Sequence, residues 1–274
     1  GHDTLVGRAG ADTLQGGAGR DAVDYGDQNW AAVLISFAAR VVGQGEAAGD
    51  VFDSIEIALG SDYDEHFVLG DTAMEIDGRG GTDTVDFSAR GAVSFGSGII
   101  VVIGDDPYWA FTSIERYIGS DGADAMRTGG GSESIEGGGG ADSLDAAGGQ
   151  DTLAGGAGAD TLVGGTAAFG FSGDGAADVF VYAALSDSAP DAADRILSFE
   201  GGTDRIDLSA LDEGFGGWNE TRMVSGDFTA AGQVRWSAGA LELNADADVA
   251  AVEFRVLVAF TFGSPAPGES DIIF

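Results

Sequence analysis

Cysteine is absent from the 274 residues, which excludes disulfides and thiolate–metal sites, although an exported protein stabilised by another device would look the same. Lysine is absent too. All 12 basic residues are Arg, set against 46 Asp plus Glu, for a formal charge of −34. Such a field repels phosphate, so nucleic acid and anionic membrane surfaces are excluded as main partners. Proline numbers only 4 while glycine numbers 48, which is neither a collagen nor a proline-rich linker composition. The longest apolar stretches, 31–42 and 249–262, are broken by Arg40 and by Glu253 and Arg255, so membrane insertion is not expected. The chain has no initiator Met and no signal-peptide pattern at its start. GHDTLVG reads as the tail of a repeat already in progress, and the expectation is that further chain precedes it.

What is present is a period. From Gly119 to Val181 the sequence divides without gaps into seven nonapeptides, among them GGGGADSLD, AAGGQDTLA and GGAGADTLV. Their sixth positions are Asp124, Glu133, Asp142, Asp151, Asp160, Phe169 and Asp178, and their eighth are Met126, Ile135, Leu144, Leu153, Leu162, Phe171 and Phe180. Five consecutive acids at one phase have a chance probability of about 10⁻⁴, given about 17% acidic residues. The same phase returns at Asp3, Asp12 and Asp21 in residues 1–24, and in a worn copy at 60–86 with Glu65, Met74 and Asp83. Between these blocks lie longer segments, 24–59 and 86–118, that echo each other as VDY…SIEIALGSD and VDF…SIERYIGSD.

Each nonapeptide reads as a glycine-rich turn followed by a three-residue strand with an apolar middle. So short a strand cannot bury its face alone, and stacking gives a continuous ladder with two strands per coil. Residues 18 apart then lie one above the other, about 4.8 Å apart. Two stacked carboxylates with turn carbonyls make about six oxygen ligands, which suits calcium. Zinc needs nitrogen or sulfur, which His2 and His66 do not supply in a usable pattern. By this rule Asp124, Asp142, Asp160 and Asp178 share one side, Glu133 and Asp151 the other, stopping at Phe169. Asp3 pairs with Asp21, Asp12 lacks its earlier partner, and Glu65 with Asp83 is a weaker site that a solvated acidic loop explains equally well. Stacked like charges repel without the ion, so folding is expected to be coupled to binding.

GGAGRDAVD, GGGGADSLD and GGAGADTLV resemble the GGxGxDxUx nonapeptides of the RTX family of exported calcium-binding proteins. The resemblance implies an all-β, right-handed parallel β-roll with several calcium ions between successive turns. It also implies that the Asp142–Asp160 site uses carbonyls of Gly137, Gly139, Gly156 and Gly158. Residues 180–211 resemble the segment that follows the roll in serralysin-type exported metalloproteases, where acids matching Asp187 and Asp194 help hold a further calcium. Asp187 reads equally as an exposed loop residue. The terminal Asp271, Ile272, Ile273 and Phe274 resemble the uncleaved signal read by type I exporters, or else form an ordinary final strand.

The expected organisation is a roll over 1–181 and a C-terminal capping segment over 182–274, with cap strands at 233–236, 241–244 and 253–260. No HExxH, GxSxG or Walker lysine occurs, and Cys nucleophiles are impossible. Trp30, Tyr108 and Trp109 offer a sugar-binding strip, with core or cap packing the commoner explanation. The reading is a non-enzymatic, secreted calcium-binding repeat region, folded by calcium after type I export. Two alternatives stand beside it. One is a surface-layer, adhesin or filament protein with calcium-dependent self-association or cell-surface association. The other is the tail of an exported metalloprotease or polysaccharide-modifying enzyme whose catalytic domain precedes Gly1.

Overall fold

The structure, a computed structural model, describes residues 1–26, 34–39, 41–42, 47–70, 74–95, 109–165, 173–214, 223–245, 248, 250–260, 265 and 267–274. The expected residues Trp30, Tyr108, Phe169 and Phe171 lie outside the described residues. The chain is an all-β parallel roll. Regular helix among the described residues is limited to the single turn-and-a-half Ser209–Gly214 and two 3₁₀ turns. Two compact units form, Gly1–Asp121 and Gly122–Phe274.

In the second unit the chain alternates between two parallel ladders. One runs through Ser134–Gly139, Thr152–Ala157, Val179–Val181, Arg205–Asp207 and Ile272–Ile273. The other runs through Ala125–Arg127, Ser143–Asp145, Thr161–Val163, Asp194–Phe199 and Phe254–Phe260. The strands Ala240–Asn244 and Gln233–Ser237 then close this second ladder in antiparallel pairing. Both ladders continue past 181 after the nine-residue spacing is lost, one through Arg205–Asp207 and Ile272–Ile273 and the other through Asp194–Phe199 and Phe254–Phe260.

The first unit follows the same plan with longer excursions. Thr4–Leu5, Ala22–Asp24, Ile57–Leu59, Glu75–Asp77 and Ala110–Thr112 form one parallel ladder. The other contains Thr13–Gln15, Val51–Asp53, Val41–Val42, Leu34–Ser36, His66–Val68, Thr84–Asp86 and Arg116–Ile118. Here the segment 24–59 is more than one long coil, since Val41–Val42 pairs antiparallel with both Leu34–Ser36 and Val51–Asp53.

The core is the apolar middle of each strand. Val23, Phe67, Ile76, Val85, Ile135, Leu144, Leu153, Leu162, Phe180, Ile196 and Ile206 are fully buried. Each such side chain contributes about 1.5–3 kcal/mol relative to exposure. The residue two places on is buried as well, as at Tyr25, Leu69, Phe87, Tyr182 and Leu208. Strand alternation thus fixes the acid two places before each middle residue at the junction of turn and strand.

Candidate metal centre

Two glycines shape each turn. At Gly155 an added Cβ would lie 2.3 Å from Asp160 Oδ2, so the first position of the repeat must be bare for the carboxylate to fold back over the turn. At Gly158 φ is +152°, and a Cβ would meet the Gly140 carbonyl of the preceding coil at 1.4 Å. Only glycine accepts both the conformation and the approach.

Within this frame the later acid of each stacked pair uses one oxygen to bind the coil before it. The Asp124 amide donates to Asp142 Oδ1 at 2.8 Å, the Asp142 amide to Asp160 Oδ1 at 2.8 Å, and the Asp160 amide to Asp194 Oδ1 at 2.8 Å. On the other ladder the Glu133 amide donates to Asp151 Oδ1 at 2.8 Å, Asp151 to Asp178 at 3.0 Å and Asp178 to Asp204 at 3.2 Å. In the first unit the pattern links Asp3 to Asp21, Glu65 to Asp83, Asp12 to Asp50, Asp21 to Glu56 and Asp83 to Glu115, at 2.7–2.9 Å.

The second oxygen is left over. Oδ2 of Asp12, Asp21, Asp50, Asp83, Asp142, Asp151 and Asp160 is buried and receives no hydrogen bond. Buried carboxylate oxygens without a donor are costly. Burial, together with neighbouring carboxylates, pushes Asp83, Asp142 and Asp151 up to about 7 and Asp178 and Asp194 up to about 8. Such oxygens fit a hard divalent cation, which would supply the missing positive charge and accept carbonyl oxygens as further ligands. A carbonyl is in place: the Cβ position of Gly137 lies 2.4 Å from Asp142 Oδ2 and 2.5 Å from the Gly155 oxygen. Among the described residues no group of three or more His, Cys, Asp and Glu side chains converges on one point, so a cation must draw on carboxylate pairs and backbone.

A family model described as Peptidase M10 serralysin C terminal matches residues 113–260, more than half of the chain. The chain belongs to the serralysin C-terminal family. A second model, the RTX calcium-binding nonapeptide repeat (4 copies), matches residues 1–29. Among solved structures the chain is similar to the AlgE6R3 subunit from the Azotobacter vinelandii mannuronan C5-epimerase, at 34% identity over 53% of this chain and 74% of that one, with a TM-score of 0.36. No curated protein matches the chain. Both matching families are typically secreted, and the RTX repeats imply calcium binding.

The serralysin C-terminal match spans both acid columns of the second unit, and the column membership differs from the eighteen-residue rule. Asp178 stands next to Asp151, 27 residues away, and Asp194 takes the place next to Asp160 that the rule gave to Asp178. The reason is register: Thr152 pairs with Val179 and Thr161 with Arg195, so the pairing sets which acid follows Asp151 and which follows Asp160. Asp12, without an earlier partner, stands next to a later one, Asp50, 38 residues on. Asp50, Glu56, Glu115 and Asp204 were missed. Each carries the local signal of an acid two places before a buried Phe52, Ala58, Tyr117 or Ile206.

Asp187 is half-buried and accepts the Ala183 and Ala184 amides at 2.8 Å, and its charge reaches Asp160 and Asp194. Gly137, Gly139, Gly156 and Gly158 all lie in the two turns that carry Asp142 and Asp160, while the carbonyl beside Asp142 Oδ2 is that of Gly155. His2 is exposed and His66 pairs with Asp86 at 2.9 Å. Trp109 is buried edge-on against Phe87 at 5.8 Å, as core packing requires.

Proposed function

We propose that this chain is the non-catalytic, calcium-switched repeat region of a secreted bacterial protein, exported unfolded by a type I system and folded by calcium outside the cell. The observation that carries the reading is the set of six buried Oδ2 atoms without a donor, on Asp21, Asp50, Asp83, Asp142, Asp151 and Asp160, each on a carboxylate whose other oxygen is committed to the neighbouring coil. In the absence of cation the columns repel, by about 1 kcal/mol per adjacent pair in water and more as the site dries. A cation that binds only the closed roll converts its binding energy into folding energy. At cytosolic calcium, sites with affinities of about 10⁻⁴–10⁻³ M stay empty and the acidic chain stays open. At extracellular calcium they fill.

The C-terminus supports the same order of events. Ile272–Ile273 pairs with Ile206 and Asp207, and the Asp271 carboxylate accepts the Gly202 and Gly268 amides. A terminus engaged in this way is accessible to an exporter only before the roll closes. Far-ultraviolet circular dichroism with calcium and with excess EGTA tests the switch, and an unchanged β signal rejects it.

The family description favours a second reading, in which the roll serves a peptidase domain on the same polypeptide. In both readings this chain is itself non-catalytic, and cleavage of casein by the purified chain refutes that.

A further inference from the structure

We infer that Asp12 and Asp50 hold a divalent cation of the calcium class at a site outside the nonapeptide register, where it joins the rung Thr13–Gln15 to the rung Val51–Asp53. This rests on the calcium reading above, but the site is not one that two consecutive repeats make. Asp50 lies 38 residues beyond Asp12, in AAGD, and outside the span 1–29 of the repeat match.

The geometry is that of the repeat sites, reached by another route. The Asp12 amide donates to Asp50 Oδ1 at 2.8 Å, and the Val51 amide donates to the Asp12 carbonyl at 2.9 Å, so the two acids stand on neighbouring rungs. Thr13–Gln15 and Val51–Asp53 then run parallel in register. The remaining oxygens, Asp12 Oδ2 and Asp50 Oδ2, are both buried and both without a donor. They look into one space, because a Cβ on Gly7 would sit 2.6 Å from the Asp50 oxygen and 3.3 Å from the Asp12 oxygen.

Asp50 itself is wholly buried, held by a turn in which its amide donates to the Ala47 carbonyl at 2.9 Å. The Gly49 Cβ position lies 2.9 Å from Ala11 Cβ, which brings this turn down onto the repeat turn 7–12. Two like charges facing one enclosed space, with backbone turns on both sides, is an arrangement that a hard cation neutralises and that zinc-type donors do not complete. Such an ion closes a span of 38 residues, which restricts the chain slightly more than an ion between rungs 18 apart.

The test is the number of calcium ions bound by the full chain, counted by equilibrium dialysis with calcium alone. Asp50→Asn and Asp12→Asn are each expected to bind one ion fewer than the unsubstituted chain, and the double variant also only one fewer. Asn keeps the acceptor for the Asp12 amide at position 50. Among the described hydrogen bonds none uses the Asp12 carboxylate, so Asp12→Asn decides the matter even where Asp50→Asn does not fold. An unchanged count in Asp12→Asn overturns the inference, as does a double variant lacking two ions, since the acids would then serve different ions. If the unsubstituted chain takes up no calcium, the calcium reading falls with it. Uptake by the unsubstituted chain with an unchanged count in Asp12→Asn removes this site alone.

Discussion

The column assignments of the second unit make a prediction that separates two registers of the same ladder. Replace Asp160, Asp194 and Asp178 by Asn, singly and in pairs. Asn keeps the Oδ1 acceptor for the amide of the neighbouring coil and removes the charge, so the change isolates ion binding from backbone pairing. Asp160 stands between Asp142 and Asp194, and Asp178 between Asp151 and Asp204. An ion present at a hundredfold its dissociation constant contributes about 2.7 kcal/mol to folding. On the proposed reading Asp160 borders two ions and Asp194 the last of them, so Asp160→Asn is expected to cost about 5 kcal/mol and Asp194→Asn about 2.7 kcal/mol. Because they share that ion, the double variant stays near 5 kcal/mol, a coupling of about 2.7 kcal/mol.

Asp160 and Asp178 belong to different columns and share nothing, so their losses add. The sum approaches the whole stability of a domain, and the assay for that pair is therefore ion stoichiometry rather than urea unfolding. The calcium counts fall independently in Asp160→Asn and Asp178→Asn and sum in the double variant. Urea titrations in saturating calcium give the Asp160–Asp194 cycle. The reasoning is refuted if Asp160 couples to Asp178 and not to Asp194, the result expected from strict eighteen-residue stacking.

Further perturbations test the turns, the charges and the cap. Burial raises Asp142 and Asp151 to about 7 and Asp178 and Asp194 to about 8, above the ordinary 3.8 of the unfolded chain. The folded chain without ions thus binds more protons than the unfolded one. Its stabilisation is complete below about pH 4 and is lost as pH rises through 7–8. Circular dichroism in chelator is expected to show more β-structure at about pH 5 than at about pH 8.5, and equal spectra refute the assignment. Ala147 occupies the second repeat position with φ +68°, so Ala147→Gly is expected to stabilise by about 1 kcal/mol in thermal unfolding; a lower melting temperature counts against strain there. Glu242 is buried between Arg235, at 2.8 Å, and Arg255, at 2.5 Å. Glu242→Ala is expected to cost about 2–3 kcal/mol, below the usual range for a buried pair because both guanidinium groups stay partly solvated. Urea unfolding checks it, and a neutral result places the triad among the inconsequential surface pairs.

How far the sequence reveals this molecule depends on what the ladder itself senses. Where repeats follow one another without interruption, as from Asp124 to Asp160, period and pairing coincide, and strand, core and carboxylate all follow from spacing. A rung, however, needs only three residues with a buried middle and an acid two places before it. The length of chain looped out between rungs does not enter the pairing. Asp50–Phe52, Glu56–Ala58, Glu115–Tyr117 and Asp204–Ile206 meet that local condition at offsets of 38, 35, 32 and 26 from their partners. A search by period passes over them, whereas a search for the acid–x–apolar triplet finds them. The same logic explains Asp178: the period continues through Phe169, but Val179 pairs with Thr152, and the acid column follows the pairing.

The division of labour within each carboxylate also accounts for why an acid, and not merely an acceptor, stands at the turn–strand junction. The amide at that junction points to the next coil and needs an acceptor, and Oδ1 supplies it from coil to coil along each column. An asparagine would satisfy that bond equally well and spare the chain its repulsion. The acid is retained at rung after rung with its second oxygen buried, although the result is a set of carboxylates raised toward neutrality by their own surroundings. Backbone pairing therefore sets the register whether or not an ion is present, and fixes where Oδ2 points. The charge contributes nothing favourable until a cation arrives, and on the proposed reading this is what would make closure of the roll conditional on calcium.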